Sequence, residues 1–224
     1  IAFVVPADRL ATIGRVLGAL RQQTIAAGVE VVIVCEDENA LGLGGAETEG
    51  LGLVRIVEVP GLVPLREAFA AGVRTATAPI VVIGETHAFP EPEALERQLA
   101  VFGEPGGEAI AAVVPALANA NPATASSWAS LMVTYGRSLG GARRDVATAS
   151  THSTAYRREA LAACEPELPE LLELGGGLDA RLRAQSHRLV YEPASVYAHL
   201  NVVPLRSCFL ERFHSSRIYA AGRS

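Results

Sequence analysis

The stretch that decides the fold is "IAFVVPADRLATIGRVLGALRQQTIAAGVEVVIVCED", Ile1 to Asp37. Its opening, rich in β-formers, is closed by Pro6. Leu10, Ile13, Leu17 and Leu20 follow at spacings of three and four, which line up one apolar helix face. From Val29 a second run is apolar at nearly every position and stops on acids. A strand that is apolar throughout, rather than at alternate positions, is covered on both faces, as in a parallel sheet. The unit is therefore strand, helix, strand, and predicts an α/β domain.

Working outward, "LVRIVEVP" (Leu53 to Pro60) reads as a third strand, and Leu65, Ala68, Phe69, Gly72 and Val73 form another helical stripe. "PIVVIGETHAFPEPEAL", Pro79 to Leu95, is a fourth strand that ends on Glu85-Thr86-His87. Pro92 suits the first turn of the next helix, whose inner face would be Leu95, Leu99 and Phe102, with Glu93 and Arg97 paired outside. Ligands of such sheets sit beyond the carboxyl ends of the strands, and three of those ends are polar: Asp8-Arg9, Glu36-Asp37-Glu38 and Glu85-Thr86-His87. In the second half, "AAVVPAL" reads as a strand, Trp128 to Tyr135 as helical, "STAYRREALAAC" as a strand end running into a helix, and "LDARLRAQSHRLVYEPASVYAHLN" as helix, strand and polar edge. Leu205, Phe209 and Phe213 fall at helical spacing among arginines, which predicts an amphipathic helix over 205–224. The chain opens without a methionine or a basic leader, so it reads as a segment trimmed from something longer.

Composition excludes several chemistries. The net charge is −5, which supplies no field for a nucleic-acid backbone. All 19 basic residues are arginine, so a Schiff-base lysine and a phosphate-loop lysine are both ruled out. Cys35, Cys164 and Cys208 are scattered in apolar surroundings and read as core residues, not as a disulfide or metal framework. No apolar run approaches the ~20 residues of a membrane span. The glycine-rich "LGLGGAETEGLG", Leu41 to Gly52, misses the G-x-G-x-x-G spacing and reads as a flexible loop. Glu85 and His87, two residues apart beyond a strand, can both reach one divalent cation, and their oxygen and nitrogen ligands suit manganese or zinc better than magnesium. His199 is a candidate third ligand. Of the other histidines, His187 and His214 look exposed.

The order of these features resembles the family-two glycosyltransferases, enzymes of the A-type nucleotide-sugar fold, across nearly the whole chain. The resemblance implies a single Rossmann-like nucleotide-sugar transferase domain over 1–224, with a central, mostly parallel mixed sheet and helices on both faces. Residues 1–115 would be the nucleotide-binding half, 116–204 the acceptor-side half and 205–224 the C-terminal amphipathic helix. By the same carry-over, Pro6, Ala7, Asp8, Glu36 and Asp37 hold nucleobase and ribose, and Glu85, Thr86 and His87 stand where the family has its Asp-x-Asp metal motif. His199 is then a metal or diphosphate contact. Arg66 lies one turn before Phe69-Ala70, which replace the family's Arg-Asn pair, and it would contact the diphosphate. The family's catalytic acid falls near Gly175 to Gly177; Asp179 and then Glu173 are the nearest carboxylates able to serve as base. The implied activity is inverting transfer of a sugar from a nucleoside-diphosphate sugar, UDP-linked, to a hydroxyl of a glycan, lipid or small molecule, with Mn2+ or Mg2+ as cofactor. The implied setting is cytoplasmic, with peripheral membrane association through residues beyond the C-terminus. The competing expectation is a nucleotide-sugar-binding protein of the same fold that has lost catalysis. A nucleotidyltransferase would need a glycine-rich loop with a lysine after the first strand, and a metal-dependent hydrolase more histidines and aspartates at strand ends.

Overall fold

Residues 1–173, 177–204, 206, 207, 209, 210, 213, 214, 216 and 217 are described in a computed structural model. The opening unit folds as its pattern demands: β1 (Ala2–Pro6), α1 (Leu10–Arg21) and β2 (Glu30–Cys35), with both strands buried at every position. A single helical turn, α2 (Glu38–Leu41), leads into the glycine-rich segment, and a second, α3 (Gly45–Thr48), forms within it, where the sequence suggested only a loop. The Asp37 carboxylate starts the first by accepting from Asn39 N, and Glu47 closes on Gly44 N to start the second. The chain continues through β3 (Leu53–Glu58), α4 (Leu65–Thr75), β4 (Ile80–Ile83), β5 (Ala88–Pro90) and α5 (Ala94–Phe102). The expected Glu93–Arg97 pair is present, with 2.6 Å between its closest atoms. The second half comprises β6 (Ile110–Asn119), α6 (Ala125–Tyr135), β7 (Arg144–Asp145), β8 (Ala155–Arg157), α7 (Arg158–Ala162), α8 (Leu168–Leu172), α9 (Leu178–Ala184) and β9 (Arg188–His199). The described positions from 206 to 217 are helical, and Phe209, Leu210 and Phe213 are exposed; Leu205 lies outside the described residues.

One sheet runs β3-β2-β1-β4-β8-β6-β9-β5, with β7 on β9. Phe3, Val5, Val31 and Ile33 face α1 and α5, while Ala2, Val4, Val32 and Val34 face α4, α7 and α8. This two-sided burial is why the strands read as unbroken apolar runs. β3 is an edge strand and is only half-buried. Parallel pairing covers β3-β2-β1-β4 and β6-β9, but β4-β8, β8-β6, β5-β9 and β7-β9 are antiparallel. The strand before Glu85 thus has a parallel neighbour on one side and an antiparallel one on the other. Apolar content cannot report this, because either neighbour buries the strand equally.

Two glycines permit close contacts that matter for the site. A Cβ on Gly72 would lie 2.3 Å from Val4 Cγ1, so α4 rests its backbone on β1. A Cβ on Gly84 would lie 2.1 Å from Phe3 Cε1, and Gly84 N donates to Val4 O at 2.7 Å. The chain leaving β4 is therefore held flush against β1 before Glu85 begins. Cys35 and Cys164 are buried free thiols; Cys208 lies outside the described residues.

Candidate functional site

After β3 the chain returns to place β4 on the other side of β1, and the carboxyl ends of β1 and β4 adjoin where the winding reverses. Such a reversal opens a crevice in α/β sheets. Glu85 stands at its edge. Two antiparallel ladders deliver partners to it. β5 pairs with β9 so that Ala88 is opposite His199, and Leu200 N donates to His87 O at 2.9 Å. β8 pairs with β4, and just before it Ser153 N donates to Ile83 O at 2.7 Å while Ser153 O accepts from Gln98 Nε2. Ser153 has φ 61°, a left-handed conformation costly for a non-glycine residue. These bonds hold it there and set His152 against Glu85.

The Glu85 carboxylate is nearly buried, with 10% of its side chain exposed. Its Oε2 lies 3.6 Å from both His87 Nε2 and His199 Nε2, and its Oε1 lies 3.5 Å from His152 Nδ1. Among the described residues, Glu85, His87 and His199 offer ligand atoms that all lie within 4.8 Å of one another. Atoms bound to one ion at about 2.1 Å stand roughly 3 to 3.5 Å apart, so the two Glu85–imidazole contacts at 3.6 Å are already close to that spacing, while the group as a whole has to draw in to close on a cation. His199 Nε2 is buried, makes no hydrogen bond of normal length and faces Glu85 Oε2 across 3.6 Å, a gap that a cation can fill. The donor set therefore fits a divalent ion. Burial alone pushes the Glu85 carboxyl up, but the facing His152, His199 and His87 outweigh it and hold the group at about 2. The carboxylate is charged at any physiological pH. His199 is further packed by His87 and Tyr135, each with ring centroids 4.8 Å away, and His152 packs on Phe69. A cavity of about 80 Å³ opens between His87, His199, Tyr135 and Asn201. A larger groove beside Arg21 and Glu49 includes none of the candidate residues.

The nucleotide candidates lie along the neighbouring strand ends. Pro6 is opposite Val34 in the ladder and Ala7 N donates to Val34 O, so Ala7-Asp8 and Glu36-Asp37 run side by side. Asp8 is exposed and accepts from Thr12 Oγ1 at 2.6 Å. Glu36 accepts from Leu62 N, and Asp37 is spent partly on capping α2. Arg66, in the first turn of α4, meets Glu173 at 3.4 Å. Asp179 accepts from Ala149 N at 2.8 Å, three residues before His152, and burial pushes its carboxyl up. Of the glycine run, 175 and 176 lie outside the described residues, and Gly177 caps α9. His214 is exposed as expected, but His187 is partly buried, because Leu182 O accepts from its backbone N and folds it against α9.

Sequence reasoning missed His152 and Asn201. Asn201 shares a strand end with His199, two residues away, so the pair "H-L-N" was a local signal. His152 gave none, since its place beside Glu85 depends on β8 pairing with β4 some seventy residues away.

The parallel strand ends and the crevice where the winding reverses are the architecture of the A-type nucleotide-sugar transferase class of α/β domain. A model of the glycosyltransferase-like family 2 matches residues 1–213, and the chain belongs to that family. Among solved structures, TarS of S. aureus aligns over 99% of this chain and 42% of its own at 15% identity, TM-score 0.64. The mannosyltransferase PcManGT from Pyrobaculum calidifontis, solved with GDP-Man and Mn2+, aligns over 94% and 59% at 19% identity, TM-score 0.66. GalNAc-T7 with UDP, GalNAc and Mn2+ aligns over 90% and 44% at 13% identity, TM-score 0.65. These likenesses show the fold, and the chain spans only 42% to 59% of those three proteins. No curated protein sequence matches it significantly.

Proposed function

We propose that the chain is a glycosyltransferase domain that moves a sugar from a nucleoside-diphosphate donor, UDP-linked, to an acceptor hydroxyl with inversion. The observation that carries this reading is the Glu85-His87-His199 group at the sheet's reversal point, in the place that the resemblance gives to the family's Asp-x-Asp metal motif. Asp8, Glu36 and Asp37, beside Pro6 and Ala7, would hold base and ribose, and Arg66 would face the phosphates. A divalent ion on Glu85, His87 and His199 would supply charge stabilisation for the departing diphosphate; the two imidazoles favour Mn2+ over Mg2+. Asp179 would take the acceptor proton. A carboxyl raised by burial is a better base than an exposed one, and Asp179 lies beside the segment that carries His152. Glu173 ranks second, since Arg66 already engages it. Glycan, lipid and small-molecule hydroxyls all remain acceptors in this reading. A cytoplasmic setting with peripheral membrane association completes it; among the described residues no helix is long and apolar enough to cross a membrane.

Calorimetric titration of UDP-sugars with and without Mn2+ tests the assignment. Glu85→Ala and His87→Ala should each abolish the Mn2+-dependent part of donor affinity. Unchanged affinities in both variants would remove the metal from the site. The second reading, a nucleotide-sugar-binding domain without catalysis, is favoured by the prior engagement of both carboxylates, Glu173 by Arg66 and Asp179 by Ala149 N. It predicts donor binding with neither hydrolysis nor transfer.

A further inference from the structure

Next to His199 lies a buried polar network that the proposed chemistry does not use. Asn119 ends β6, opposite His199 in the parallel ladder. Its Oδ1 accepts from the backbone N of Asn121 at 3.0 Å and from Ser127 Oγ at 2.9 Å. A backbone N–H can only donate, so the orientation of the Asn119 amide is settled without reference to any other side chain. Asn201 Nδ2 then donates to that same oxygen at 3.0 Å and to His199 O at 3.0 Å. Turning the Asn201 amide over would press its oxygen against two acceptors. Asn201 Oδ1 must therefore face His199 Nδ1, which it does at 3.1 Å.

An amide oxygen accepts and cannot donate, so Nδ1 carries the proton. In the neutral ring the lone pair is then on Nε2. That nitrogen is buried without a hydrogen-bond partner and faces Glu85 Oε2, itself only an acceptor, at 3.6 Å. In that neutral ring two acceptors face each other out of water and repel, and the gap is closed either by a proton on Nε2, the state in which His199 holds the Glu85 carboxyl low, or by a metal cation in its place. Asn201 is fixed from its own backbone as well, since its N donates to Asn121 Oδ1 at 2.9 Å.

We infer that Asn201, locked by Asn119 and Asn121, is a positioning residue that commits His199 to the Nδ1–H tautomer and so presents Nε2 to a divalent cation held with Glu85. The network acts through His199 and touches no substrate. This inference rests on the metal reading of the site but goes beyond it, because it assigns the tautomer and the residues that impose it. The arrangement belongs to the class in which a ligating histidine's second nitrogen is fixed by a hydrogen bond, and loss of such partners typically costs 10–100-fold in metal affinity.

The test is nitrogen NMR of histidine-labelled, metal-free protein at mildly alkaline pH, with His199→Asn used for assignment. The wild-type His199 should show Nδ1 protonated and Nε2 bare. Asn201→Leu, which removes the acceptor opposite Nδ1, should shift it to the Nε2–H form. Calorimetry with Mn2+ alone should then show about 10–100-fold weaker binding to Asn201→Leu. A wild-type ring protonated on Nε2, alone or together with Nδ1, overturns the inference; this reading needs no variant to fold. The expected tautomer combined with no Mn2+ binding by the wild type would leave the network standing and sink the metal reading instead.

Discussion

Asp179 carries the sharpest test at the scale of single residues, because its two roles make opposite demands. Its Oδ2 accepts from Ala149 N, and burial pushes its carboxyl above the ordinary 3.8. A raised acid favours the protonated folded state, so ionisation costs the fold stability as pH rises from 3.8 through the folded value. Asp179→Asn keeps an acceptor for Ala149 N and removes that cost. At pH 7 it should unfold at the same or a slightly higher temperature, by less than about 1 kcal/mol in stability. If Asp179 removes the acceptor proton, transfer should fall by about 10²–10⁴-fold with donor affinity unchanged. An unchanged rate would dismiss it as the base. Glu85, by contrast, is held at about 2 by its three imidazoles, and its charge was foreseeable only once His152 and His199 were known to face it.

The elements are held at their far ends by Glu30, whose carboxylate sits at the start of β2, away from the site. It accepts from Arg55 Nε on β3, from Thr77 N and Oγ1, and from Ala78 N ahead of β4. One buried acid thus ties the second and third strands to the turn that leads into the fourth. Burial pushes its carboxyl up, but these donors outweigh that and bring it below 4.5. The stabilisation is present above pH 4.5 and is lost as pH falls through the lower folded value. Glu30→Gln should cost about 2–3 kcal/mol in urea unfolding at pH 7, and the gap from wild type should narrow steadily as pH drops below 4.5. A gap independent of pH would mean that the carboxylate charge contributes nothing. The strands and helices so anchored were legible in the sequence from Leu10, Ile13, Leu17 and Leu20 or from the Val31 to Val34 run, because burial period follows directly from backbone geometry. Two short turns over 38–48 were not, since each is built on a single local cap, Asp37 or Glu47, in a glycine-rich setting.

For the whole molecule, the family reading predicts that ligands bind the native fold and stabilise it by mass action. A thermal-shift panel should show UDP-sugars raising the melting temperature in Mn2+ more than in Mg2+, with about 2.7 kcal/mol gained at a hundredfold excess over Kd. Equal shifts with the two metals would argue against imidazole ligation by His87 and His199. The sequence by itself determined the βαβ start, the two-sided burial of its strands and the polar strand ends at Asp8, Glu36 and Glu85. These follow from periodicity and from the rule that parallel strands present their carboxyl ends, both local in origin. Only the tertiary structure decided which side chains share the crevice. His152 reaches Glu85 through the β4-β8 ladder, His199 through β5-β9, and Asn201 is oriented by Asn119 across β6-β9. Strand pairing joins residues far apart in the chain by backbone hydrogen bonds common to all residue types, so the sequence carries the partners without saying that they meet.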